Sequence, residues 1–134
     1  MRGPVVTVNI FMLISIAMAS MALAQPLAKN SQKFPDILSV SVRAHNGNRF
    51  DFDVTVSSPY DTSQRYADAF KVMGADGVVY GERKLWHDHG DEQPFTRDLY
   101  GVSIKPGIKN VVVQGRDQQY GYGGKTVTVV LPGR

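Results

Sequence analysis

An all-β fold, a seven-stranded antiparallel sandwich, is predicted for everything after the first 35 residues. Apolar and polar residues alternate with a period of two along several short runs. Those runs are separated by Gly, Pro and Asn turn signals at short intervals, and no long window carries a helical period.

The chain of 134 residues opens Met1-Arg2-Gly3-Pro4, with one positive charge. An apolar stretch follows from Val5 to Ala24, broken by Thr7, Asn9, Ser15 and Ser20, and it closes on Ala22-Leu23-Ala24. Small residues at those alternate positions suit signal peptidase, so residues 1–24 read as a cleavable signal peptide with Gln25 opening the mature chain. A retained anchor is the alternative, since the stretch approaches the roughly 20 residues that span a bilayer. The polar interruptions favour cleavage, hence an exported protein, bacterial periplasmic or secreted, with no stable membrane span in its mature form. There is no Cys, so neither a thiol-linked lipid nor a disulfide is available, and stability rests on burial alone. An exported domain without disulfides fits a periplasm better than a eukaryotic extracellular space. Residues 25–35, polar and with two prolines, read as a flexible leader, and residues 36–134 as one domain.

In the first strand Leu38, Val40, Val42 and Ala44 share one face. Asn46-Gly47, suited to positive φ at both turn centres, leads to a second strand in which Phe50, Phe52, Val54 and Val56 alternate with polar residues. A polar segment over 58–65 precedes a third strand from Tyr66 to Met73, with Phe70 and Val72 inward. Gly74-Ala75-Asp76-Gly77 turns the chain into a fourth strand from Val78 to about Trp86. The breaker-rich segment from His87 to Pro94 gives way to a fifth strand from Phe95 to Ile104, and Lys105-Pro106-Gly107 is another short turn. A sixth strand covers Asn110 to Arg116, a seventh Thr126 to Leu131, and between them Tyr120-Gly121-Tyr122-Gly123-Gly124 reads as a loop whose glycines supply positive φ or admit a ligand to the backbone. Strand count and order make the arrangement similar to fibronectin type III and other immunoglobulin-like domains, with a barrel of the same strands as the competitor.

In such a sandwich every second connection falls at the same end. The turns at 46–47, 76–77 and 106–107 share one pole, and three longer loops, in immunoglobulin lettering BC, C′E and FG, share the other, where such folds usually bind. Those loops carry Tyr60, Asp61, Arg65, Trp86, Asp117, Tyr120 and Tyr122, a mixture suited to a partner protein of the envelope, a glycan or another small polar ligand. Each also has an ordinary structural reading: loop residues, rings packed over the core edge, or an Arg65–Asp61 pair. If 87–89 is extended, His87 and His89 point to one side and reach one Zn or Cu ion, with Glu92, Asp91 or Asp117 as third ligand. Either histidine serves equally well to hydrogen-bond a loop carbonyl, and no cofactor is otherwise implied.

No recognisable catalytic motif selects a nucleophile or a carboxylate pair, so a non-catalytic module is expected. The formal charge of +3 falls by one when Arg2 leaves, and the basic residues are scattered among acidic ones, which argues against nucleic acid. His87-Asp88-His89 followed by Glu-Gln-Pro-Phe-Thr-Arg, with Gly-Tyr-Gly-Gly before the last strand, resembles a family of small exported bacterial proteins of uncharacterised function. That resemblance implies export and compactness and carries over no activity. The leading expectation is an exported binding module using the three loops, and the alternative a periplasmic metal-binding protein using the His-x-His pair.

Overall fold

Seven antiparallel strands follow one another: β1 (Asp36–His45), β2 (Arg49–Ser57), β3 (Ala67–Met73), β4 (Val79–Lys84), β5 (Phe95–Ser103), β6 (Asn110–Asp117) and β7 (Gly121–Val130). The computed structural model describes residues 2–5 and 31–134. Apart from residues 2–5, the predicted signal peptide lies outside the described residues, as does the leader up to residue 30. Among the described residues no helix is long and apolar enough to cross a membrane.

The strands form two sheets, ordered β1-β2-β5 and β4-β3-β6-β7. The sandwich expected from the alternation is thus present, with β4 beside β3. Phe52, Val54 and Val56 of β2 meet Phe70 and Val72 of β3 and Val111 and Val113 of β6 across the core, and Phe95, Ile104 and Leu131 close its ends. Period-two alternation is what one buried and one solvated sheet face require. The burial pattern of β2 follows it residue by residue.

Departures from strict alternation occur where an extra residue enters a strand. In β1, Ile37 pairs with Val56 and Ser39 with Thr55, so Leu38 is the unpaired residue of a bulge. Ile37 takes the core position and Leu38, expected inside, is 46 % exposed. The turn after β1 has positive φ at Gly47 and Asn48, one residue later than the Asn46-Gly47 expectation, because the loop contains three residues.

The largest correction concerns the end of the chain. Residues 121–124, read as loop, belong to β7, and the connection after β6 is a tight turn over 118–120. Gly115 pairs with Gly123 and Val113 with Val127, so two extra residues bulge from β7. Onto these glycines the chain lays its own residues Phe34 to Asp36. A Cβ on Gly123 would meet the Phe34 ring at 2.5 Å, one on Gly115 would meet Pro35 Cγ at 2.6 Å, and one on Gly124 would meet the Pro35 carbonyl at 2.2 Å. The Lys125 amide donates to Asp36 at 2.9 Å. The leader therefore does not run free to Pro35, which is buried.

Replacing Gly124 by Ala combines a positive φ of 79° with that clash, whereas Gly77, at φ 84°, has no atom within 4 Å of its missing Cβ. Gly77→Ala is expected to cost only the left-handed backbone, about 1–2 kcal/mol. Gly124→Ala should cost at least about 1 kcal/mol more, read as a lower urea midpoint at unchanged m-value. Equal losses would show that Pro35 does not rest on Gly124.

Candidate functional site

The pole opposite the short turns is organised by two buried carboxylates. Asp117 ends β6 and is fully buried, where a lone charge would be prohibitively costly. It is not alone: Arg65 Nε stands 3.2 Å from each of its oxygens, and the amides of Gln119 and Tyr120 donate to Oδ2 at 2.9 Å. Those two amide bonds are what make the β6–β7 connection tight. Burial pushes the Asp117 carboxyl up, but the Tyr60 hydroxyl facing it, the two amides and Arg65 outweigh that and hold it below its ordinary value. The Tyr60 hydroxyl lies outside regular hydrogen-bond geometry, and burial followed by the Asp117 charge pushes its pKa up.

Arg65 does more than pair. Its Cζ lies 4.2 Å from the Tyr60 ring centroid and 4.9 Å from that of Tyr120, so the guanidinium contacts two aromatic rings. Its Nη2 donates to the carbonyls of Gln32 (2.7 Å) and Lys33 (2.8 Å), fastening the segment that continues onto the glycine bed. A planar fork with five donors in fixed directions serves a carboxylate and two carbonyls at once, whereas a lysine offers three rotatable donors from a single nitrogen.

Asp61 serves the other two segments of this pole. Its Oδ1 accepts from the Ala67 amide and its Oδ2 from the His89 amide, both at 3.0 Å. Burial pushes its carboxyl up despite these donors. Gln93 adds a second stitch: Oε1 accepts from the Ser58 amide at 2.7 Å, while Nε2 donates to Ser58 Oγ at 3.2 Å and the His89 carbonyl at 3.0 Å. Residues 58–66 and 85–94 are thereby tied into one platform, with Phe95 anchoring it in the core.

His89 is buried, stacked on Phe95 at 4.0 Å between centroids and 4.7 Å from the His87 ring. Neither of its ring nitrogens has a hydrogen-bond partner. Burial, then the neighbouring Arg97 charge, push its pKa down. His87 Nδ1 donates to the Asp88 carbonyl at 2.9 Å. Glu92 faces Arg97, at 3.0 Å, instead of the histidines. Among the described residues no group of three His, Asp or Glu side chains is placed to hold a metal ion.

Of the residues singled out in the sequence, Tyr60, Arg65, Asp117 and Tyr120 are brought together, with Asp61 on the neighbouring stitch, and their polar atoms are largely committed to one another and to the backbone. The suggested Arg65–Asp61 pair does not form, because Asp117 takes the guanidinium. Trp86 stands apart, outside β4 and 80 % exposed. Tyr122 is on the outer face of the larger sheet, bonding Glu82 beneath Lys71 Nζ, which lies 3.9 Å from its ring. Two shallow depressions, of about 360 and 380 Å³, lie at the turn pole, where no ligand was expected. Sequence reasoning missed Gln93, Ser58 and the carbonyls of Gln32 and Lys33; only the Phe34-Pro35 pair opposite a glycine run signalled any of this contact.

No family model matches the chain. A protein of Halomicrobium mukohataei named "Putative lipoprotein" is 34 % identical over 94 residues, covering 70 % of this chain and 46 % of that protein, so the chain spans about half the relative's length. A superoxide reductase (1Fe-SOR) from Giardia intestinalis is 16 % identical with a TM-score of 0.43, covering 72 % of this chain and 99 % of its own. A DUF3823 family protein from Bacteroides ovatus is 17 % identical with the same TM-score, covering 72 % and 55 %.

Removing one member of a buried ion pair leaves the other uncompensated, so Asp117→Ala is expected to cost about 3 kcal/mol near neutral pH. The Asp117 value lies below 3.8, so its stabilisation is complete above that pH and is lost as pH falls through the depressed value. Asp61, held above 3.8, acts in the opposite sense, adding stability as pH falls through its raised value. Urea unfolding across the acid range should show a shallower acid loss in Asp117→Asn than in the parent protein. An unchanged profile would remove Asp117 from the linkage.

Proposed function

We propose that this chain is an exported, non-catalytic binding module of the cell envelope that holds its partner on the β4–β5 loop. The single observation that carries this reading is Trp86, the only tryptophan, standing 80 % exposed on a loop fixed from below by Asp61 and Gln93. An exposed indole on a rigid platform offers a large contact area that needs little ordering on binding, and tryptophan is enriched at binding hot spots.

Export is supported by the predicted signal peptide and by the Halomicrobium relative, which bears the name "Putative lipoprotein". A non-catalytic role is supported by the state of the polar groups at the loop pole. Asp61, Asp117, Arg65 and Ser58 have their hydrogen bonds directed inward, and none pairs a nucleophile with a base. The partner class proposed is an envelope protein or glycan that covers the indole.

Trp86→Ala should weaken capture of the envelope partner at least about tenfold while moving the melting temperature by less than about 2 °C. Free protein should emit like a water-exposed indole and shift to the blue when the partner binds. Capture by Trp86→Ala equal to that of the parent protein would overturn the reading.

A second reading rests on His87 and His89. Two buried, unpartnered imidazole nitrogens beside a second imidazole supply neutral donors of the kind Zn and Cu accept, with Glu92 recruited only if it leaves Arg97. Metal analysis of untagged protein, beside a His87→Ala/His89→Ala variant, tests it. The expected result is stoichiometric Zn or Cu in the parent that is lost in the variant, and equal, negligible metal in both would end it.

A further inference from the structure

Seven arginines lie between residues 31 and 134, and six have committed guanidinium groups. Arg43 pairs with Asp53, Arg65 with Asp117, Arg83 with Asp98, Arg97 with Glu92 and Arg116 with Asp68. Arg134 donates to backbone carbonyls of the β5–β6 connection. Among the arginines of residues 31–134, Arg49 alone has no side-chain ion pair or hydrogen bond.

Arg49 opens β2 at the turn pole and lines a depression of about 360 Å³ with His45, Asn46, Asp51 and Gly101. His45 is its in-register neighbour on β1, so both side chains leave the same face of the sheet. The one carboxylate there, Asp51, is already occupied: Oδ2 holds His45 Nε2 at 2.5 Å and Oδ1 accepts from the Gly101 amide at 2.8 Å. Asp51 thus orients the imidazole without reaching for Arg49. Gly101, at φ 68°, has no atom within 4 Å of its missing Cβ, so its side of the depression is uncrowded.

An unpaired guanidinium, an amide NH2 and an oriented imidazole, in a cleft whose only carboxylate is already bonded to His45 and the Gly101 amide, leave donors of the cleft without an anionic partner. We propose that this cleft binds the oxyanion of a small molecule, a carboxylate or a phosphate, with Arg49 making the bidentate contact and Asn46 completing it. The volume lies at the lower end of small-ligand sites and suits a ligand about the size of one sugar ring. The site is at the opposite end of the sandwich from Trp86 and stands independently of the binding surface proposed there.

The test is an amide chemical-shift titration of the purified protein with glucuronate, acetate, inorganic phosphate and, as an uncharged control, glucose. The expected result is a saturable shift at His45 and Gly101 with at least one anion and none with glucose. A response to glucuronate and acetate only assigns a carboxylate ligand, and a response to phosphate only assigns a phosphate. Arg49→Gln should bind about tenfold more weakly with the rest of its spectrum unchanged, whereas Lys84→Gln, which removes the same charge elsewhere, should bind like the parent. No saturable shift with any anion, an equal shift with glucose, or undiminished binding in Arg49→Gln would overturn the proposal.

Discussion

The ion pair of Arg65 and Asp117, closed over by Tyr60 and Tyr120, is the constraint on which the loop pole depends. Three stretches of chain distant in sequence meet there: the β2–β3 loop through Arg65, the β6–β7 turn through the amides on Asp117, and residues 32–33 through their carbonyls. A buried pair of this kind is weak as a source of stability, because desolvation takes back much of the Coulomb gain. Its effect is directional. An apolar cluster of equal volume would fill the space without fixing which carbonyls or amides face it, whereas the guanidinium fork admits few arrangements.

Next to this pair, Asp61 works with the opposite electrostatic sign. Asp117 has enough donors to overcome its burial, and Asp61, with two amides and a nearby Asp88, does not. Yet Asp61 is the group that joins the β4–β5 loop to the rest of the pole. The platform beneath Trp86 is therefore held by a carboxylate whose charge is disfavoured, and the stitch by Gln93, which carries no charge, is independent of that penalty.

Much of the fold was legible because one-sided burial writes itself directly into alternation, most clearly in β2. What was not legible arose from insertions into strands. Leu38 continues the apolar alternation of β1, and only its neighbours across the ladder reveal that the extra residue turns it outward. The Gly-Tyr-Gly-Gly segment was read as a place where something approaches the backbone, and that physical reasoning holds; the approaching group is Phe34-Pro35 of the same chain. At the candidate site, residue types identified the cluster of Tyr60, Arg65, Asp117 and Tyr120 but not its orientation. Whether a charged loop residue faces solvent or folds inward is decided by partners far away in sequence, such as the carbonyl of Gln32, which carry no sequence signal at all. The free Arg49 was invisible for the same reason, since six similar arginines find partners and composition does not say which one fails to.

The fastening of residues 32–36 also sets how the domain would bear tension. If the chain is pulled through the segment preceding Ser31, force first meets the two Arg65 bonds to the Gln32 and Lys33 carbonyls and the Gln32 bond to the Ser57 carbonyl. It then reaches Asp36, which is paired with Ser57 on one sheet and bonded to the Lys125 amide on the other. Load is thus divided between both sheets before the β1 ladder is stressed, and Pro35 wedged on the glycines resists sliding along β7. A sandwich whose first strand hung from one sheet alone would open from that edge. Here the entry point of the chain is a clamp, and mechanical failure would begin with the loss of the Arg65 bonds to the Gln32 and Lys33 carbonyls.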